Sequence, residues 1–366
     1  MKHESRMFQF AAVMLFTIAA VTLNAQTTYV AVDLTPSGGA SMATGAANGI
    51  QVGQAWFDPT TGSNTPRAAV WSGYAGTYTD LTPAGALRAS IKGTDGTGQV
   101  GFSTGGAALW HGTASSYISL NPAGYLFSIA YGIQGATQVG CGNLPVALHG
   151  FGVSGTGPGP DRAIIWNNSA SSFVDLQNGS GYDATCALAV ANGTQVGHGI
   201  KGGVLSAVLW NGTAKSIVTL HPKNYVSSDA RATDGTYQVG FATYDVRVPD
   251  RVIHHSIAVM WTGTAASAVF LGPAGGFQDS VALGVGSGKQ VGYIGSLPGA
   301  DPAATHAYLW HGTADAGTDL HQYLPAQFVS SQATSIDPVT GVVAGFALTN
   351  TLDNNSYHAV IWVPSI

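Results

Sequence analysis

Seven times along this chain a Gln-Val-Gly triplet, or a close variant of it, is followed by an apolar stretch that ends in Trp. The triplets begin at Gln51, Gln99, Gln138, Gln195, Gln238 and Gln290, and Val343-Ala344-Gly345 is a degenerate seventh copy. The stretches end at Trp71, Trp110, Trp166, Trp210, Trp261, Trp310 and Trp362, about forty to fifty-five residues apart. Self-similarity at that period belongs to arrays in which each repeat is one supersecondary unit that buries its apolar face only against its neighbours. Trp56 is the one tryptophan outside the series.

Each unit resolves into four strands by alternation and turn chemistry. Strand a is short and small-residued, as in SIAYG from Ser128; strand b holds the triplet, strand c the Trp, and strand d a VDL or ISL core. Asn48-Gly49, Asp95-Gly96, Asn192-Gly193 and Asp234-Gly235 stand between a and b, and accept the positive φ of tight hairpin turns. His111-Gly112, Asn211-Gly212, Thr262-Gly263 and His311-Gly312 mark a second hairpin between c and d. The expected fold is therefore all-β, a seven-bladed β-propeller of four-stranded antiparallel blades. With 8% charged residues and 50 Gly, the composition suits a chain of strands and turns with almost no helix.

The ends of the chain say how the ring closes. HAVIWVPSI, residues 358–366, supplies strand c of the last unit and nothing after it, while TTYVAVDLTP, residues 27–36, matches a strand d with no a to c before it. Unpaired sheet edges invite aggregation. Residues 30–34 are therefore expected to pair with residues 358–363, so that the N-terminal strand completes the last blade.

Residues 1–25 carry Lys2 and Arg6, an apolar stretch over 8–21 and Ala25 at a cleavage position, the pattern of a signal peptide; the propeller then spans 26–366. A secreted or periplasmic protein follows, with no membrane insertion after cleavage. Beyond residue 25 the chain has seventeen Asp, no Glu and eleven Lys plus Arg. That mild acidity lacks the basic stripe a nucleic acid needs, so no nucleic-acid partner is expected. Cys141 and Cys186 fall in adjacent blades, and in an oxidising compartment they are candidates for a disulfide between blades.

The repeat resembles the HAF-repeat family of exported bacterial β-propeller-like proteins, named for a His-Ala-Phe motif followed by Leu-Trp. His306-Ala307-Tyr308-Leu309-Trp310 and His358-Ala359-Val360-Ile361-Trp362 carry the resemblance, with Asp33, Asp80, Asp175 and Asp319 in strand d. The resemblance covers nearly the whole chain after residue 25. It implies export and a propeller-like array, and no catalytic residues.

Candidate binding residues come from positions that escape the repeat. In strand a, small hydroxyl and Ala columns bracket positions that change from blade to blade, whose polar members are Lys92, Tyr131, Asp229 and Arg231; these are expected near the channel mouth. The long insertions all join strand b to strand c, over 54–67, 141–161, 241–255, 293–305 and 346–357, and predict one elaborated face carrying Trp56, Asp58, Arg67, Tyr244, Asp245, Arg247, Arg251 and Asp301. Adjacent His254 and His255 point to opposite faces of a strand and cannot easily share one ion, so no metal or cofactor is expected. A monomeric binding or interaction module for a carbohydrate or protein ligand is the leading expectation. A propeller glycoside hydrolase or polysaccharide lyase is the alternative, with a structural surface protein as a third; a two-carboxylate glycosidase would need both groups from Asp.

Overall fold

The computed structural model describes residues 27–37, 39–56, 65–74, 76–150, 153–272, 279–295, 304–349 and 357–365. The signal segment, Asp58 and Asp301 lie outside them. The described strands form seven four-stranded sheets. Their innermost strands are Ser41–Ala47, Ala89–Thr94, Phe127–Gln134, Ala184–Ala191, Ser227–Thr233, Asp279–Gly286 and Phe328–Ile336, strands a of blades 1 to 7. Each touches the innermost strands of both neighbouring blades, and Phe328–Ile336 returns to Ser41–Ala47. The molecule is a closed seven-bladed β-propeller.

Closure is made by the chain ends. Tyr29–Asp33 pairs antiparallel with Tyr357–Pro364, from Tyr29 opposite Pro364 to Asp33 opposite Val360. The Leu34 N–H extends this ladder to the Ala359 carbonyl at 2.8 Å. Blade 7 thus takes its outermost strand from the N-terminal side of the chain.

The repeat columns have separate physical jobs. At Gly101 and Gly240 of the triplets, a Cβ would collide with the strand a carbonyl oxygens of Ser90 and Asp229, so only Gly lets the two inner strands approach. The triplet Gln is buried and caps the turn after strand c: Gln99 Oε1 accepts from the Gly112 N–H at 2.7 Å, Gln195 Oε1 from Gly212 and Gln290 Oε1 from Gly312, both at 2.8 Å. The hydroxyl column ties each blade to the one before it. Ser128 Oγ accepts from the Ala107 N–H at 3.1 Å and Ser228 Oγ from Ala207 at 2.9 Å, and Ser41 Oγ repeats the bond across the closing junction with Ala359 at 3.1 Å. Blade 2 has Ala89 in that column, and there Thr82 Oγ1 takes the Ala68 N–H at 3.0 Å. All seven repeat Trp residues are fully buried, and the indoles of Trp71 and Trp362 donate to the Leu34 and Leu320 carbonyls of the preceding blade at 3.0 and 2.9 Å. Cys141 on strand b of blade 3 and Cys186 on strand a of blade 4 form a disulfide with Cα atoms 4.9 Å apart.

Two expectations about connections need correction. The insertions at 141–161 and 241–255 are not loops in the main: strands b and c simply continue, as Thr137–Gly150 with Val153–Asn167, and as Gln238–Val248 with Arg251–Trp261. In blade 5 β-branched residues such as Val246, Val248, Val252 and Ile253 suit a ladder that runs past the sheet as a two-stranded ribbon. The blade 3 ribbon instead pairs through a Gly- and Pro-rich stretch over 155–160. The link from c to d is also longer than a two-residue hairpin in blades 2 to 5. A 3-10 turn intervenes, such as Ala114–Ser116, and the Ser116 hydroxyl donates to the Thr113 carbonyl at 2.6 Å while accepting the His111 N–H at 2.8 Å.

Candidate functional site

Every innermost strand carries a β-bulge at the same place, and that of blade 7 has a second between Phe328 and Ser330. The flanks of the shared bulge are Ala43/Gly45, Ile91/Gly93, Ala130/Gly132, Ala187/Ala189, Ala230/Ala232, Ala282/Gly284 and Ala333/Ser335. The residues that the a–b ladder skips at these bulges are Thr44, Lys92, Tyr131, Leu188, Arg231, Leu283 and Thr334. A bulge bends its strand and re-aims a side chain. These seven all line one cavity of about 520 Å³ on the propeller axis. The changing column in the sequence is thus the bulge column, freed from the ladder and turned toward the channel.

Two members are cations with matching surroundings. The Lys92 ammonium lies 5.7 Å from the centre of the Phe102 ring, and the Arg231 guanidinium 5.5 Å from that of Phe241. Phe102 and Phe241 each follow the triplet Gly and pair with Ser90 and Asp229, two residues before the bulge cation. Strand a starts on the side of the b-to-c connections, so the two rings lie toward the long-insertion face. The cavity that the cations line extends from the bulges to the a–b turns, such as Asn48, Asp95 and Asp234, on the opposite face.

Asp229 is 1% exposed and accepts from Arg231 Nε at 2.9 Å through Oδ2, with His198 Nδ1 3.2 Å from its Oδ1. Lys92 has no carboxylate partner among the described residues, and burial pushes its pKa down. Two phenols complete the polar surroundings of Arg231. Burial raises the Tyr131 pKa, helped by Asp161 and opposed by Arg231; burial likewise raises that of Tyr293, opposed by Arg231 and helped by Asp279. Lys92, Tyr131, Asp229 and Arg231 therefore come together around the axis.

Trp56 lies elsewhere, at the junction of blades 7 and 1. A pocket of about 450 Å³ is lined there by Met42, Trp56, Ser330, Gln332, Phe346, Leu348 and Tyr357. The Trp56 and Tyr357 rings lie 6.1 Å apart, and Phe346 and Tyr357 5.9 Å. Strand b of blade 7, Val343–Thr349, contributes Phe346 and Leu348, and the start of strand c contributes Tyr357.

Tyr244, Arg247 and Arg251 form a third group, on the ribbon of blade 5. Arg247 and Arg251 are exposed near its tip, while the Tyr244 ring packs on Tyr225 and His255 at 6.3 and 5.7 Å. His254 and His255 do face opposite ways: His254 is exposed and meets Asp245 at 2.6 Å, whereas His255 is buried and meets Asp279 at 3.3 Å. Arg67 is engaged by Asp80 at 2.6 Å. Among the described residues no group of three or more His, Cys, Asp or Glu gathers that could hold a metal ion.

Sequence reasoning missed Phe102, His198, Phe241, Tyr293 and Phe346. All follow the triplet Gly and face the variable column of strand a, a second variable column that the same alignment contains.

No protein-family profile matches this chain, and no curated protein does. Its fold is shared with solved propellers. An oligogalacturonate lyase in complex with manganese matches at TM-score 0.54 and 9% identity, over 93% of this chain and 96% of its own. An oligogalacturonate lyase from Vibrio parahaemolyticus matches at 0.50 and 9%, over 92% and 97%. At that identity the likeness is one of fold. Among the described residues no helix is long and apolar enough to cross a membrane.

Proposed function

We propose that this chain is an exported propeller of the HAF-repeat type that binds a carbohydrate on its long-insertion face, in the pocket between Trp56, Phe346 and Tyr357. The observation that carries this reading is the convergence of three aromatic rings with the Gln332 amide and Ser330 hydroxyl on one concavity. Aromatic faces pack on the C–H faces of sugar rings, and a few polar groups then fix orientation. The disulfide suits an oxidising compartment, which supports export.

A glycan array with the full chain, followed by Trp56→Ala, tests the reading. At least a tenfold loss of affinity for the bound glycan is expected, and an unchanged signal rejects the pocket.

A polysaccharide lyase is the second reading, supported by the fold shared with oligogalacturonate lyases and by the cations Lys92 and Arg231 at the axis. A two-carboxylate glycosidase has less support. The acids that reach the axial cavity, Asp95 and Asp234, spend their carboxylates on turn N–H groups such as Gly98 and Tyr237. Incubation with polygalacturonate separates binding from lysis, because a lyase leaves an unsaturated, ultraviolet-absorbing product; no rise in absorbance removes this second reading.

A further inference from the structure

Lys92 and Arg231 hold the same repeat position in blades 2 and 5, on the wall of one axial cavity. Each leans over a phenyl ring, which attracts a cation without neutralising it. Asp229 balances only one of the two, through Arg231 Nε. In a chain of formal net charge −5, the channel therefore keeps an uncompensated positive charge in a half-buried place.

The chemistry of the free donors narrows the ligand. With Nε committed to Asp229, Arg231 still offers its two Nη groups, a planar edge that matches a carboxylate with two parallel hydrogen bonds. The phenols of Tyr131 and Tyr293 stand close enough to feel its charge and carry O–H donors. We infer that the axial channel, at the cavity between its bulges and the a–b turns, binds a carboxylate-bearing ligand, held by the Nη edge of Arg231 with Lys92 supplying the second charge. An anion there also relieves the half-buried ammonium of Lys92, whose pKa burial depresses. This site is separate from the aromatic pocket at the junction of blades 7 and 1 and does not rest on the sugar reading.

Calorimetric titration of the full chain with sodium D-glucuronate, D-glucose and inorganic phosphate tests it. Glucuronate and glucose differ only in the C6 carboxylate. Glucuronate is expected to bind, more weakly as salt rises, and glucose is not. Lys92→Met should weaken glucuronate by about tenfold or more, the loss of one charge-assisted contact worth about 1.4 kcal/mol. Arg231→Met should weaken it further, but it strands the buried Asp229 and can unfold the blade. Lys92→Met touches no ion pair and so carries the test, with its melting temperature as control. Equal affinity for glucuronate in wild type and Lys92→Met overturns the proposal, as does equal binding of glucose. Phosphate binding more tightly than glucuronate overturns the carboxylate assignment. Trp56→Ala should leave glucuronate affinity unchanged, which keeps failure here distinct from failure at the aromatic pocket.

Discussion

His358 Nδ1 lies 2.7 Å from Asp33 Oδ2, joining strands c and d of blade 7 across 325 residues of chain. The pair recurs as His306 with Asp319 at 2.8 Å, and in Arg form as Arg67 with Asp80 and Arg162 with Asp175, both at 2.6 Å. The three remaining blades put Ser119, Thr219 and Phe270 where the Asp would stand, and Gly106, Ser206 and Ile257 where the cation would. Acid and base are kept or dropped together. The His of the repeat motif is thus half of a c–d clasp, which accounts for its absence from some blades.

The clasp itself contributes little, and the strand it decorates a great deal. Both members of the His358–Asp33 pair are partly exposed, at 21% and 38%, so Asp33→Asn should cost about 0.5–1 kcal/mol in a urea titration. Removing residues 27–36 takes away a whole ladder and bares an edge of blade 7. That truncation should melt far lower and self-associate on size exclusion; a monomer that melts like the full chain would sink the closure model.

Acid sensitivity should come from carboxylates on the ring. At Asp33 burial works to raise the pKa, but hydrogen bonds from His358 and Thr35 outweigh it and leave the carboxyl below its ordinary value. Asp95 and Asp337 behave alike, with burial overcome by N–H donors that include Gly135 and Gly49 of the next blade. A depressed folded pKa contributes stability that is complete above the unfolded value, about 3.9, and is lost as pH falls through the folded value. Unfolding free energy should therefore lose nothing to these groups on descent to about pH 5 and should fall below about pH 4. Asp337→Asn should be less stable at pH 7 and show a shallower acid limb; an unchanged limb would remove Asp337 from the account.

Much of this architecture was legible because a repeat repeats its constraints. Seven Trp, seven triplets and one missing strand fixed blade number and closure, since each column answers one backbone need, as Gly240 does beneath the Asp229 carbonyl. The ribbon of blade 5 was not legible as strands, because a ladder can run on past the sheet and only pairing partners such as Arg247 and Val252 reveal it. The site was half legible. Lys92 and Arg231 stood out as variation within a column, but the bulge that aims them, and the phenyl rings beneath them, depend on register across strands. Phe346 and Tyr357 reach Trp56 only because the ring closes, so nothing near Trp56 in sequence announces them.

The disulfide should matter for stability and not for the site. Cys141 and Cys186 close a loop with a sequence separation of 45, for which the chain-entropy estimate is about 4 kcal/mol. Reduction, or Cys141→Ser with Cys186→Ser, should lower the denaturation midpoint accordingly, while glycan affinity at the Trp56 pocket stays within about twofold. A midpoint unmoved by reductant would show that packing between blades 3 and 4 needs no covalent tie.

Two tryptophans should part company when each is cut to Ala. Trp166 belongs to the fully buried column and sits in one cluster with Val100, Leu109 and Tyr125, which come from the preceding blade and from the connection to its own. Trp166→Ala leaves a cavity between blades and should cost about 3–5 kcal/mol. Trp56 is only half-buried, its ring set against Tyr357 at the rim of a pocket, so Trp56→Ala should cost about 1 kcal/mol or less. If the pocket binds sugar, the costs in affinity reverse: Trp56→Ala loses the glycan, while whatever fraction of Trp166→Ala remains folded still binds it. Thermal melts and glycan titrations on the same two variants decide the matter, because a purely structural Trp56 would lower the melting temperature without any loss of affinity in the folded protein.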